Sequence, residues 1–312
     1  MRSIESSPQV QDLDRRPLVG GDRKISEATF HALDAKLEIY ANPDETFAQL
    51  GASKLIEILR QNDPELAFKL EDDRHKLDQD PGFFIVKNTG IERVESPVAQ
   101  LGAITLSCMF GTPTQTTPRS PVIAWPVTYK PKSENVRKTF SETNSEASLH
   151  TDSQYLAEPE HYFGLFCIKP DQFGGGASQI VDGNAVIDQL RGTRGETVLC
   201  ELGKLYPFRL PSVFTKDDGD LDAEVIWAPI LSANRVRYRH DTLMSALDLD
   251  HVEIPDSQLE AISAFEEVLH EIRVDEYSLE AGDVMFVNNY RMLHGRTAFE
   301  DSKRFLYRVR MN

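Results

Sequence analysis

From residue 83 onward the chain is cut into short apolar runs bounded by turn residues, and that texture narrows the folds open to it. Phe83-Phe84-Ile85-Val86 follows Pro81-Gly82. Similar runs are Val122 to Trp125, Tyr162 to Ile168, Gln179 to Val181, Val225 to Trp227, Arg235 to Tyr238, Val284 to Val287 and Phe305 to Val309. Short apolar runs set off by Gly or Pro read as buried strands, and many of them together predict a sandwich or jelly roll. One long helix interrupts them. Ser257 with Glu260 fits a capping box there, and Leu259, Ile262, Phe265, Leu269 and Ile272 give a buried stripe. The expected fold is mainly β with flanking helices, around a double-stranded β-helix (jelly-roll) core.

The N-terminal part reads differently. Residues 1–22 are polar and expected to form a loose tail, which leaves 23–312 as a single domain. Ser26 is placed to cap a helix with Phe30, Leu33, Leu37 and Ala41 at helical spacing. Asn42-Pro43 ends that helix and starts another, marked by Leu50, Leu55, Ile58 and Leu59. A third apolar group, Leu66, Phe68 and Leu70, runs into the acidic stretch Glu71 to Asp80, which is expected to be solvated surface. The chain carries 50 acidic against 34 basic residues, a formal net charge of −16. Such a surface argues against nucleic acid and anionic membranes as partners. No apolar run is long enough to span a bilayer, and the opening MRSIESSPQVQDLDRR lacks the apolar core of a secretory signal. Cys108, Cys167 and Cys200 are scattered and read as reduced, buried small residues, which fits a cytoplasmic location.

The chemistry concentrates in His150-Thr151-Asp152 and in His294. A His and a carboxylate two residues apart on one strand share a face and can reach one ion. A second His arriving from another strand completes two imidazoles and one carboxylate, the facial triad of non-haem Fe(II) oxygenases. By itself His-x-Asp is equally a solvated Asp beside a structurally bonded His. Gly295 after His294 is expected to let the backbone turn tightly. Arg308 lies fourteen residues beyond His294 (294 + 14 = 308) in the terminal run RFLYRVRMN. There Arg304, Arg308 and Arg310 fall on one side. They are solvated if the strand is an edge; if that side faces inward, each needs an anionic partner.

HTD near position 150, GGGAS ending at Ser178, and HGRTAF followed by Arg308 together resemble the Fe(II)/2-oxoglutarate-dependent oxygenases. The similarity is to the clavaminate synthase-like branch of the taurine dioxygenase superfamily and runs from about residue 83 to the end. It implies that His150, Asp152 and His294 bind Fe(II). It further implies that Arg308, with Arg304 as reserve and Ser178 assisting, grips the distal carboxylate of 2-oxoglutarate. Several amino-acid hydroxylases of that branch carry Glu where this chain has Asp152. An intact carboxylate favours hydroxylation over halogenation, since related halogenases lack it. The stretch 235–244, RVRYRHDTLM, resembles the part that contacts the amino acid in the arginine and asparagine hydroxylases, which makes Asp241 a substrate carboxylate. An Asp bonded to its own loop backbone is the plainer reading of that residue. Asp217-Asp218-Gly219-Asp220 lacks the rest of a calcium loop and reads better as a lid.

The implied activity uses O2 and 2-oxoglutarate to hydroxylate a free amino acid or derivative, with arginine and lysine as first candidates and succinate and CO2 as co-products. Desaturation or cyclisation of a larger or carrier-bound natural-product intermediate is the alternative within that chemistry. A non-enzymatic β-sandwich binding protein is the alternative outside it, and the intact ligand set speaks against that.

Overall fold

The computed structural model describes residues 19–116, 121–131, 139–210 and 225–312. Its strands are β1 (Val19–Asp22), β2 (Phe83–Lys87), β3 (Trp125–Thr128), β4 (Ala147–His150), β5 (Tyr162–Lys169), β6 (Ser178–Asp182) and β7 (Leu205–Arg209). They continue with β8 (Val225–Pro229), β9 (Leu231–Ser232), β10 (Arg235–Val236), β11 (Asp275–Tyr277), β12 (Val284–Asn288), β13 (Met292–Arg296) and β14 (Phe305–Met311). The helices are α1 (Glu27–Tyr40), α2 (Pro43–Asn62), α3 (Pro64–Asp78), α4 (Ser96–Ser107), α5 (Gly183–Arg194), α6 (Glu196–Leu202), α7 (His240–Leu247) and α8 (Asp256–Glu271).

Two sheets make the core. The larger runs β1-β2-β12-β5-β14-β3 and the smaller β11-β6-β13-β4, while β7–β8 and β9–β10 form separate ribbons. All pairings are antiparallel except β1 with β2. Side chains alternate across each strand, so each sheet has two apolar faces to cover. Between the sheets lie Phe83, Ile85, Phe163, Met285, Val287 and Leu306 from the larger and Ile180 and Met292 from the smaller. The opposite face of the larger sheet, with Phe84, Phe166, Phe286 and Val309, packs on α1 to α4. Val181 and Leu293, on the back of the smaller sheet, are covered by α5 to α8 and the ribbons. The layers are therefore helix, sheet, sheet, helix, the expected jelly-roll core with its flanking helices.

The N-terminal caps form as read. Ser26 Oγ accepts from Thr29 N at 3.2 Å, and Asn42 Oδ1 accepts from Glu45 N at 2.9 Å. Several expectations are corrected. The acidic run after Leu70 is mostly solvated, as expected, but as far as Asp78 it is also the end of α3, which carries Leu70, Asp73 and Leu77 inward. Asp73 is fully buried against Arg23 and Lys76 rather than solvated. Val19–Asp22, inside the segment expected to be irregular, pair with β2.

The run at 122–125 is displaced: Ile123 and Ala124 fill the core, and pairing begins only at Trp125. Of the run 235–238, only Arg235 and Val236 pair, and the chain turns into α7 at His240. Ser257 does not cap α8. That helix starts behind Pro255, Ser257 Oγ donates to Glu201, and the buried stripe is Ala261, Ile262, Phe265 and Val268 with Leu259 exposed. Beyond residue 83, α4 to α7 join α8, the one helix foreseen there, as α3 joins the expected α1 and α2 before it. Cys108 and Cys167 are buried, but Cys200 is exposed. The acidic run 217–220 lies outside the described residues.

Gly295 has a different reason from the one expected. It sits within β13 and makes no turn. A Cβ there would meet Ala147 O at 2.6 Å, so the glycine lets β4 approach closely. Gly295→Ala is expected to push β4 away and lower unfolding stability by about 1–3 kcal/mol, read by urea denaturation. Unchanged stability would contradict this packing.

Candidate metal centre

The two imidazoles meet because their strands are in register. His294 of β13 faces His150 of β4 directly, and Ile180 of β6 on its other side. Directly opposed side chains lie about 5 Å apart at Cβ, and here the ring centroids are 4.4 Å apart. Asp152 is not on the strand itself; it falls in the turn just after β4. Its backbone is pinned instead by Asn289: Asp152 N donates to Asn289 Oδ1 at 2.7 Å, and Asn289 Nδ2 donates to the carbonyls of Asp152 and Glu160. Ser153 next to it takes a left-handed φ of 56°. The carboxylate thus returns to the imidazoles, with Oδ1 3.8 Å from Nε2 of both His150 and His294.

The protonation states suit a metal. His150 Nδ1 donates to Ser148 O at 2.8 Å, which leaves the Nε2 lone pair facing the site. Burial, with His294 and Arg239 nearby, holds the His150 pKa well below the imidazole range, so the ring is neutral. Burial alone would raise the pKa of Asp152. The Arg308 and Arg310 guanidinia and the His294 contact outweigh it and hold the carboxyl well below its usual range. Two imidazoles and one carboxylate, with their ligand atoms within 4.8 Å of one another, make a donor set that fits a divalent transition ion.

The arginines face inward. β14 lies between β5 and β3, so it is not an edge strand. Arg308 Nη1 reaches Asp152 Oδ1 at 3.2 Å and Oδ2 at 3.1 Å. Burial and the Arg310 charge lower the Arg308 pKa to about 10, against the pull of Asp152. Arg304 donates to Gly176 O at 3.0 Å, its Nη1 finding no partner among the described residues. A cavity beside the imidazoles is lined by His150, His294, Leu165, Ser178, Arg304 and Arg308. Ser178, at the start of β6, is buried and lines the same cavity as Arg308.

Asp241 lies apart from this cluster, at the start of α7. Arg239 holds both its oxygens, at 2.6 and 2.9 Å. Arg239 also stacks on the Phe140 ring at 4.3 Å, and Phe140 packs edge-on against His150. Arg296 donates to the carbonyls of Phe140, Thr143 and Ser145, which secures Phe140 in that place. Asn289, Phe140, Arg239 and the role of Arg310 were not read from the sequence. The doublet Asn288-Asn289 after an apolar strand was the one visible signal, since buried amides there need defined partners.

No curated protein sequence matches significantly. Among solved structures, an asparagine oxygenase in complex with Fe(II), 3-hydroxyasparagine and succinate superposes with a TM-score of 0.67 at 13% identity, covering 93% of each chain. The non-haem iron oxygenase OrfP in complex with Fe and α-ketoglutaric acid gives 0.65 at 15% identity over 94% of each chain. OrfP with Fe and L-Arg gives 0.62 at 14%, over 94% of this chain and 93% of that one. These likenesses establish the shared fold. The family profile described as taurine catabolism dioxygenase TauD, TfdA family matches residues 59–310, which takes in the smaller sheet, the larger sheet apart from β1, and every residue of the cluster. The chain therefore belongs to the TauD/TfdA family of dioxygenases.

Proposed function

We propose that this dioxygenase holds one Fe(II) on His150, Asp152 and His294, binds the distal carboxylate of 2-oxoglutarate on Arg308 with Ser178, and hydroxylates a free amino acid or close derivative. The observation that carries the reading is the convergence of the three ligand side chains beside a cavity that Arg308 and Ser178 line. When bound, the iron supplies dioxygen activation coupled to decarboxylation of 2-oxoglutarate to succinate and CO2. The chain's own part is positioning. The Ser148 carbonyl fixes the His150 tautomer, and Asn289 fixes the turn that carries Asp152. Phe140 and Phe163 pack against the two imidazoles and keep water from them. Arg308 has a buried Nε with no partner among the described residues, so its fork has a donor left for a second carboxylate.

Support for an amino-acid substrate comes from the fold shared with the asparagine oxygenase and with OrfP, whose complexes hold 3-hydroxyasparagine and L-Arg. Asp241 is the substrate-side carboxylate in this reading, and a cationic group must displace Arg239 from it. The same contact favours a second reading, in which Arg239 on the Phe140 face meets an anionic group of the substrate. Desaturation or cyclisation of a larger or carrier-bound molecule uses the same centre.

Substitutions and a substrate panel test this. Asp152→Ala is expected to abolish turnover and metal uptake together, measured by succinate release and calorimetry; full activity would exclude Asp152 as a ligand. Arg308→Lys keeps the charge but loses the fork, so the KM for 2-oxoglutarate should rise about tenfold, roughly 1.4 kcal/mol. Loss of 2-oxoglutarate binding in Arg304→Ala but not in Arg308→Ala would move the carboxylate to Arg304. A panel of free amino acids, with arginine and lysine first and aspartate and glutamate beside them, is followed by mass spectrometry for a gain of one oxygen. Asp241→Asn should raise the KM of a cationic substrate far more than that of 2-oxoglutarate. Turnover of acidic members alone would favour Arg239, and turnover only of a carrier-bound compound would remove the free-amino-acid reading.

A further inference from the structure

Arg308 and Arg310 lie on one face of β14, two residues apart, and both reach Asp152. They do so differently. Arg308 Nη1 touches both carboxylate oxygens. Arg310 takes only one: its Nε donates to Oδ2 at 3.0 Å. The other end of that guanidinium is anchored, with Nη1 donating to Thr116 O at 3.0 Å, and the side chain is 6% exposed. The oxygen Arg310 leaves alone is Oδ1, the one 3.8 Å from each imidazole Nε2.

We propose that Arg310 is the positioning residue of the metal centre: by holding Oδ2 it turns Oδ1 toward His150 and His294 and frees Arg308 to serve a second carboxylate. The proposal rests on the reading of Asp152 as a metal ligand. Asn289 already fixes the Asp152 backbone, so the freedom left to the carboxylate is rotation about its terminal torsion, which is intrinsically broad. A planar guanidinium tied down by a carbonyl at its far end removes that rotation. It also keeps the buried carboxylate compensated when Arg308 turns away. Without Arg310, Asp152 is left to rotate and Arg308 alone must answer its charge. Metal affinity and 2-oxoglutarate affinity should then fall together, although Arg310 touches neither ligand.

The test is anaerobic calorimetry with Mn(II), a redox-silent probe, on the wild-type chain and on Arg310→Met, Arg310→Gln and Arg310→Lys. The visible absorption of the Fe(II)–2-oxoglutarate complex formed without oxygen is the second readout. Arg310→Met should weaken Mn(II) binding about 10–100-fold, the usual loss when an outer partner of a metal ligand is removed. It should also shift or bleach the absorption band and raise the Kd for 2-oxoglutarate. Arg310→Lys, which keeps a charged donor for Oδ2, should recover most of the metal affinity, and Arg310→Gln should fall between the two. Thermal melts identify which variants are folded, and if Arg310→Met is not, the Lys and Gln variants decide the matter. Folded variants that bind Mn(II) like the wild type, with an unmoved band, overturn the positioning role alone. A wild-type chain that takes up no Mn(II) overturns the metal reading and this one with it.

Discussion

A carboxylate buried as deeply as Asp152 stays ionised only if cations are built around it, and much of the molecule is arranged to do so. Removing one partner of such a buried pair costs about 3–5 kcal/mol, a large share of the stability of an ordinary domain. The cations sit on β14, which must therefore run through the interior of the larger sheet, between β5 and β3. That placement needs apolar cover on the opposite face. Tyr307 and Val309 supply it by packing into the core shared with α1 to α4. The N-terminal helices contribute no ligand, yet they make a central position for the arginine strand possible.

The two sheets divide the labour. The smaller one contributes the imidazoles through the β4–β13 pairing, and Ser178 through β6. The larger one contributes the guanidinia. The cluster lies where the two inner faces meet, with Phe163 of the larger sheet against His294 of the smaller. A change in the packing between sheets therefore acts directly on the distance between the imidazoles and the guanidinia. Asn289 spans the same gap: it follows β12 of the larger sheet and holds the turn after β4 of the smaller.

How much of this could be read in advance follows from which residues are locally determined. Strands such as 284–287 and 305–309 were legible because their runs are apolar and bounded by turn residues. The arginine side of β14 was legible only as a fork, solvated at an edge or paired with anions inside, and the strand order decides it. The helix α4 was missed because SPVAQLGAITLS is buried nearly all round and shows no amphipathic period. α3 was missed for the opposite reason: its acidic face hides one buried aspartate whose partners lie up to 50 residues away. The Asn288-Asn289 doublet was a visible signal, but the role of Asn289 was not, because its partners Asp152 and Glu160 lie more than a hundred residues earlier. Asp241 read either as a substrate carboxylate or as an Asp bonded to its own backbone; Thr242 N does donate to its Oδ1 at 3.0 Å, but nothing in RYRHD says that Arg239 also folds back onto it.

The place of β4 has one more consequence. It is four residues long, it is the outermost strand of its sheet, and its pairing with β13 is interrupted by a register shift between His294 and Arg296. A strand so placed is where a sheet frays first and where amide hydrogen exchange runs fastest. An ion shared by His150 and His294 would tie that fraying edge to its neighbour and close a loop of 144 residues (294 − 150). It would act much as a covalent cross-link does, by removing open conformations from the ensemble. The metal would then be a fastener of the sheet as well as a reagent, and its loss would register first as solvent exchange along β4.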